Sequence, residues 1–366
     1  MGNPEVAVFP GDGIGHEVMA SALTTLDALE RRFNFRLSRT VYEGGAAYYR
    51  KSGKDLPDGA FEAARAADAI LFGAMGLPDV RLPDGTEVAP HLRMRESFGL
   101  FAGVRPVKKY PNTPRVLADA RGDQVDLIVL RESTEGLFAS RGRGTVEDDA
   151  VARDTMVITR ATSEKLFDVA FSLARRRRTQ GVGKNRVTCV DKSNVFVSMA
   201  FFRKIFSEKA REHADVKHDY AYVDAAALDL VRKPWEFDVL VMENMLADIL
   251  SDLGGGLVGG MGMAPCAEIG LEHALFQPAH GSAPDIAGQG KANPTAMLVS
   301  TAMMLDWLGE RRGDDVLVRA ARALDEAVTQ AYADAAVLPY ELGGSTGTEA
   351  FTAAVVERIA RCPCSC

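Results

Sequence analysis

Long apolar runs are missing from this 366-residue chain. None reaches the roughly 18 residues that a membrane-spanning helix needs, so no membrane role is expected. Cysteine is scarce, and the five present, Cys189, Cys266, Cys362, Cys364 and Cys366, do not look like a disulfide framework. Three of them crowd the C-terminal tail, where exposed thiols on a frayed end fit better than a thiol metal clip. The sparse, odd set of cysteines points to a reducing cytoplasm as the expected compartment, and the opening residues lack the basic-then-apolar layout of a signal peptide. Neither sign of charge dominates: 43 basic against 50 acidic residues leave a net −7, which argues against a general nucleic-acid binder. What remains, 47% hydrophobic and 25% charged, is ordinary globular material and enough for two domains.

Short apolar runs alternate with longer helical patterns. Strands are expected at Glu5 to Phe9, Ala69 to Phe72, Asp126 to Leu130, Arg186 to Val190 and Asp238 to Met242. Helices are expected at Ile14 to Arg32, Ser198 to His213, Asn293 to Leu308 and Asp314 to Ala335. This alternation implies an α/β fold with a substantially parallel sheet. The glycines between Gly254 and Gly262 mark either close helix packing or a hinge. The basic run Arg175 to Arg178 reads as a solvated helix end favoured by the helix dipole.

Five groups of residues carry chemistry. Pro10 to Glu17 follows a strand and opens a helix, the setting of a dinucleotide loop, but its glycines are spaced G-x-G-x-G, and no acidic residue closes a clear second strand. Asp248 and Asp252 are four apart and share one helical face. Their repulsion would be offset by a hard divalent cation, though a pair alone is equally an acidic solvated face. Asp224 sits at an expected strand end, and Lys192 follows another strand, where a lysine near a cation can act as a general base. Arg95, Arg105 and Arg131 have the fork geometry that grips carboxylates. The loop from His280 to Gly288 is glycine-rich with one acidic residue, Asp285, suited to ribose hydroxyls or to a purely structural turn.

In this order, these groups resemble the β-decarboxylating dehydrogenase family, whose members include isopropylmalate, isocitrate, homoisocitrate and tartrate/D-malate dehydrogenases. The resemblance runs from Pro10 to about Phe351, most specifically in Asp248 to Asp252, His280 to Asn293 and Gly343 to Phe351. It implies an open mixed sheet flanked by helices, not a Rossmann fold, with a second, smaller dimerising α/β domain. Residues 1–102 with 260–366 would form the larger, cofactor-binding domain, and 103–259 the smaller one, carrying substrate, metal and dimer contacts. It further implies oxidative decarboxylation of a small polycarboxylate by a homodimer with shared active sites. Asp224, Asp248 and Asp252 would hold Mg²⁺ or Mn²⁺. Lys192, from the partner subunit, would assist deprotonation of the 2-hydroxyl, with Asp224 also crossing the interface. Arg95, Arg105 and Arg131 would take the carboxylates, and His91 and Leu92 the group at C3. His280, Gly281, Ser282, Ala283, Asp285, Ile286, Asn293 and Asn194 would hold the cofactor. A carboxylate at Asp285 suits NAD, because it would repel the 2′-phosphate of NADP.

Three departures from the family pattern matter. Phe138 stands where the family has the tyrosine that protonates the enolate carbon. Ala89 and His91 replace the Ser and Asn of isocitrate enzymes, and His91-Leu92 replaces the two leucines of isopropylmalate enzymes. Gln277 replaces a common glutamate. The leading expectation is an isopropylmalate dehydrogenase-like enzyme, with a place in leucine biosynthesis. The alternatives are a tartrate/D-malate dehydrogenase or a catalytically impaired paralogue with a binding or regulatory role.

Overall fold

A computed structural model describes residues 2–361. The tail thiols Cys362, Cys364 and Cys366 lie outside the described residues. Its strands are β1 (Glu5–Gly11), β2 (Ser38–Val41), β3 (Ala69–Ala74), β4 (Ala102–Lys108), β5 (Asp126–Glu132), β6 (Thr145–Glu147), β7 (Val151–Arg153), β8 (Arg186–Asp191), β9 (Lys217–Tyr222), β10 (Val239–Met242), β11 (Pro265–Ile269) and β12 (Ala274–Pro278). The helices are α1 (Gly15–Phe33), α2 (Ala46–Ser52), α3 (Ala60–Ala66), α4 (Pro90–Phe98), α5 (Arg160–Thr179), α6 (Val197–Glu212), α7 (Val223–Arg232), α8 (Asn244–Val258), α9 (Thr295–Arg312), α10 (Asp315–Ala333) and α11 (Thr348–Arg361).

Ten strands form one sheet in the order β2-β1-β3-β12-β11-β4-β5-β10-β8-β9, and β6 and β7 make a separate hairpin. Both flanks are parallel, as the sequence pattern implied. The centre is not: β12-β11, β11-β4 and β4-β5 pair antiparallel. One flank draws on both chain ends and the other on the middle of the chain, and β4 and β11 join them. Alternate residues of β1 feed opposite faces, with Val6 and Val8 in one buried cluster and Ala7 and Phe9 in the other. Helices therefore cover both faces of this strand.

The glycine run packs closely. A Cβ at Gly254 would lie 2.7 Å from Val107, and one at Gly259, where φ is +137°, 2.6 Å from Leu342. The arginine run differs from its expected solvated state. Arg175 pairs with Asp215 and Arg176 with Asp306 and Glu310. Arg177 is buried, and its Nε donates to Asp238 at 2.7 Å while its Nη2 reaches Asp126 at 2.9 Å. Among the described residues no other cation is ion-paired with Asp238, so Arg177→Leu would leave a buried carboxylate without a counter-charge. Urea unfolding should show that variant destabilised by about 3–5 kcal/mol. A loss under about 1 kcal/mol would contradict the assignment of Arg177 as the counter-charge of Asp238.

Candidate functional site

Two strands and one helix bring Arg105, Arg131 and the aspartates together, and a third strand adds a glutamate. In the antiparallel centre, Glu268 of β11 lies opposite Gly103 of β4, and Gly103 opposite Arg131 of β5. Arg105, two residues beyond Gly103, points to the same face as Arg131. Helix α8 starts where the Glu243 carboxylate accepts from the backbone N–H groups of Met245 and Leu246 at 3.1 and 3.2 Å. That start aims Asn244, Asp248 and Ser251 at the two arginines. Arg131 donates to Asn244 Oδ1 at 2.9 Å and is ion-paired with Asp248. Arg105 donates to Ser251 Oγ at 2.6 Å and Asp248 Oδ1 at 3.2 Å, with Asp252 at 3.8 Å.

The electrostatics of this cluster follow from burial. Arg131 is only 2% exposed, and loss of water, with Arg105 and Arg95 beside it, pushes its pKa down to about 10. The carboxylates of Asp248 and Asp252 stay 40% and 57% exposed. Partial burial and then the Asp248 charge raise the Asp252 carboxyl, although Arg105 opposes them. This is a carboxylate pair, compensated by guanidinium, with an open side.

Arg95, on α4, does not meet Asp248; its Nη2 lies 2.6 Å from Glu268 Oε1. Sequence reading missed Glu268, and missed Asn244 and Ser251 as partners. The available signal was one acidic residue in the apolar run Pro265–Ile269. His91 is also on α4, its ring edge against Phe72 at 5.8 Å. Loss of water and then the Arg95 charge drive its pKa down to about 3, so the ring is neutral, and Nδ1 has no hydrogen-bond partner among the described residues. Leu92 follows it, half-buried. Phe138 lies in a short turn, Leu137–Ser140, with the Arg131 guanidinium 5.0 Å from its ring centre.

Lys192 and Asp224 form their own pair. Lys192 Nζ lies 2.5 Å from Asp224 Oδ1, and that hydrogen bond holds the Asp224 carboxyl below its ordinary value. Asp224 sits in the first turn of α7, just past the end of β9, and not on the strand itself. Within one chain the three aspartates do not converge: among the described residues, no group of three or more His, Cys, Asp or Glu side chains is placed to hold a metal ion. Exposed apolar side chains surround both halves: Val195, Phe196 and Val197 (87% exposed) beside Lys192, Leu228 and Val231 on α7, and Ile249 beside Asp248.

At the other end, the glycines of the first loop serve backbone packing. A Cβ at Gly13 would sit 2.0 Å from the carbonyl oxygen of Ser282, which accepts from Ile14 N at 2.8 Å. Asp12 is spent on backbone N–H groups of Ala46, Ala47 and Gly76. The loop is therefore not a phosphate cradle. His280 Nδ1 faces the Gly281 carbonyl at 2.9 Å, so Nδ1 carries the proton, and Nε2, which has no partner among the described residues, is an acceptor. Ser282 donates to Gly76 O, and Ala283 holds a left-handed φ of +35°. The Asp285 carboxylate is exposed, with no hydrogen bond from the described residues, and Ile286 is half-buried beside it. Asn293 is committed elsewhere: its amide donates to Glu341 at 3.0 Å, and its Oδ1 accepts from Thr295 N at 3.1 Å, at the start of α9. Asn194 lies exposed two residues beyond Lys192, away in sequence from the 280–293 loop.

The profile of the family described as isocitrate/isopropylmalate dehydrogenase matches residues 5–359. The 3-isopropylmalate/3-methylmalate dehydrogenase of Methanocaldococcus jannaschii is 38% identical over 357 residues, 97% of this chain and 98% of that one. The 3-isopropylmalate dehydrogenase of Pseudoalteromonas translucida is 39% identical over 370 residues, covering 98% and 99%. Among solved structures, the isocitrate dehydrogenase from Methylococcus capsulatus superposes with a TM-score of 0.85 at 35% identity, over 98% of this chain and 99% of that one.

Proposed function

The chain belongs to the isocitrate/isopropylmalate dehydrogenase family, and from that premise we propose an NAD-dependent, divalent-metal-dependent oxidative decarboxylation of a 3-substituted (2R)-malate, with a 3-isopropylmalate-like acid as leading substrate. The observation that carries this reading is the convergence of Arg105 and Arg131 on Asp248, beside the open face of Asp252. A polycarboxylate with a cation at its hydroxyl end fits such a site: the acid takes the guanidiniums, and the cation takes the aspartates.

Asp248 and Asp252 are oxygen donors on one exposed helix face, which fits two of the ligands of Mg²⁺ or Mn²⁺. Asp224 of a second copy would supply the third, so the active unit is a homodimer with shared sites. The exposed apolar residues on α7, on α8 and beside Lys192 support that assembly. When bound, the metal supplies Lewis acidity at the 2-hydroxyl, and the nicotinamide accepts the hydride from C2. Lys192, crossing with Asp224, would take the hydroxyl proton at Nζ as the neutral amine, once Asp224 has turned from it to the cation. Arg105 and Arg131 hold the carboxylates and favour the enolate charge.

Asp285 favours NAD, because its exposed carboxylate can accept ribose hydroxyls and repels a phosphate. Residues 1–102 with 260–366 would move as the larger, cofactor-binding domain, and 103–259 as the smaller one. The reaction belongs in the cytoplasm. At C3, neutral His91 admits a small or polar group as readily as isopropyl, and this favours tartrate or D-malate as the second substrate class. The name of the Methanocaldococcus jannaschii relative includes 3-methylmalate, in keeping with a small group. A catalytically impaired paralogue is favoured by Phe138 alone.

Calorimetric titration with Mn²⁺ separates an enzyme from a relic. The dimer should bind Mn²⁺, and Asp248→Asn should weaken binding by at least about tenfold. No Mn²⁺ binding, or an unchanged affinity in the variant, would refute the metal site.

A further inference from the structure

Two kinds of counter-charge face the three arginines. Asp248 and Asp252 are exposed and can turn to another cation. Glu268 cannot. Its side chain is 0% exposed, on one of the two inner strands of the antiparallel centre, with its Oε1 2.6 Å from Arg95 Nη2. Gly103, opposite it, makes the approach feasible: a Cβ there would stand 3.0 Å from Glu268 Oε2 and 3.2 Å from Arg131 Cβ. Burial works against the charge on Glu268, but Arg95, Arg105 and Arg131 outweigh it and hold the carboxyl below its ordinary value. Arg95 is thus held in a fixed ion pair, while the direct ion-pair partners of Arg105 and Arg131 are the exposed aspartates that a bound ligand can displace.

We infer that Glu268 limits the site to two substrate carboxylates, selecting dicarboxylic over tricarboxylic hydroxy acids. This rests on the reading of these arginines as substrate-binding groups. The mechanism is electrostatic. Each further carboxylate entering the cluster meets the fixed Glu268 charge, with only two arginines left to answer it. At an effective dielectric of about 20 and a separation on the order of 10 Å, one unit charge is worth roughly a factor of ten in affinity. Glu268→Gln removes that charge while keeping shape and a hydrogen-bond acceptor for Arg95.

The test is calorimetric binding to the intact dimer with Mn²⁺ present. The ligands are 3-isopropylmalate, a dicarboxylate, and isocitrate, a tricarboxylate of similar size. Wild type should bind isocitrate at least about tenfold more weakly, and Glu268→Gln should close that gap by about tenfold. A purely structural role would weaken both acids together and leave their ratio unmoved. An unmoved ratio with binding intact would overturn the inference and spare the proposed function. Binding of neither acid by wild type would overturn both. Should the variant not fold, wild type decides: equal affinity for the two acids overturns the inference.

Discussion

Mixing two disabled variants should restore activity. Lys192→Met removes the proposed base and should lower kcat by about 10²–10⁴-fold. Asp248→Asn removes a proposed metal ligand and a partner of two buried arginines, and should cost at least about 10²-fold. Lys192 and Asp224 pair with each other, whereas Asp248 pairs with Arg105 and Arg131, so the two groups form separate clusters within one chain. If a site is completed across the dimer, a mixed dimer has one intact site, with Asp248 from one chain and Lys192 from the other. Co-refolding equal amounts should then return about a quarter of the wild-type rate, since half the dimers are mixed and each has one working site. Recovery no greater than the sum of the separate variants would mean that each chain builds its own site.

Phe138→Tyr should change the last chemical step. The ring already lies against the Arg131 guanidinium, so the added hydroxyl enters a half-buried place beside the carboxylate-binding group. A positioned acid contributes about 10²–10⁴-fold when its proton transfer limits the rate. We expect turnover to rise by about 10²-fold, with the first-turnover NADH burst unchanged. In D₂O, wild type should place deuterium at C3 without stereochemical preference, because water delivers it, and the variant should place it on one face. An unchanged rate together with an already stereospecific wild type would show that another group serves as the acid.

The parts of this fold that are legible in the sequence are those whose pattern is local. Helices α1, α9 and α10 and strands β3, β5, β8 and β10 lie close to their expected positions because one buried stripe or apolar run defines each. The antiparallel centre was not legible. Strand β4 carries Arg105 and Pro106, and β11 carries Glu268, residues that a single strand pattern rejects. They are tolerated because neighbouring elements neutralise or pack them, and such partners are remote in sequence. The arginine run misled for the same reason: Arg177 looks like a helix-end charge until Asp238 and Asp126 fold against it. The site was legible as a set of residue types, but its pairing was not. Nothing in the spacing shows that Lys192 pairs with Asp224, that Arg95 turns away to Glu268, or that Asn293 is already engaged by Glu341.

The central claim is oxidative decarboxylation, and following NADH and CO₂ separately tests it most directly. The purified dimer would be given 3-isopropylmalate, tartrate, (2R)-malate and isocitrate, each with NAD⁺ or NADP⁺, with and without Mn²⁺. The account predicts NADH and CO₂ in equal amounts from a dicarboxylic acid, with NAD⁺ preferred and no turnover without metal. Folded, Mn²⁺-binding protein that forms neither product from any of these acids would contradict it.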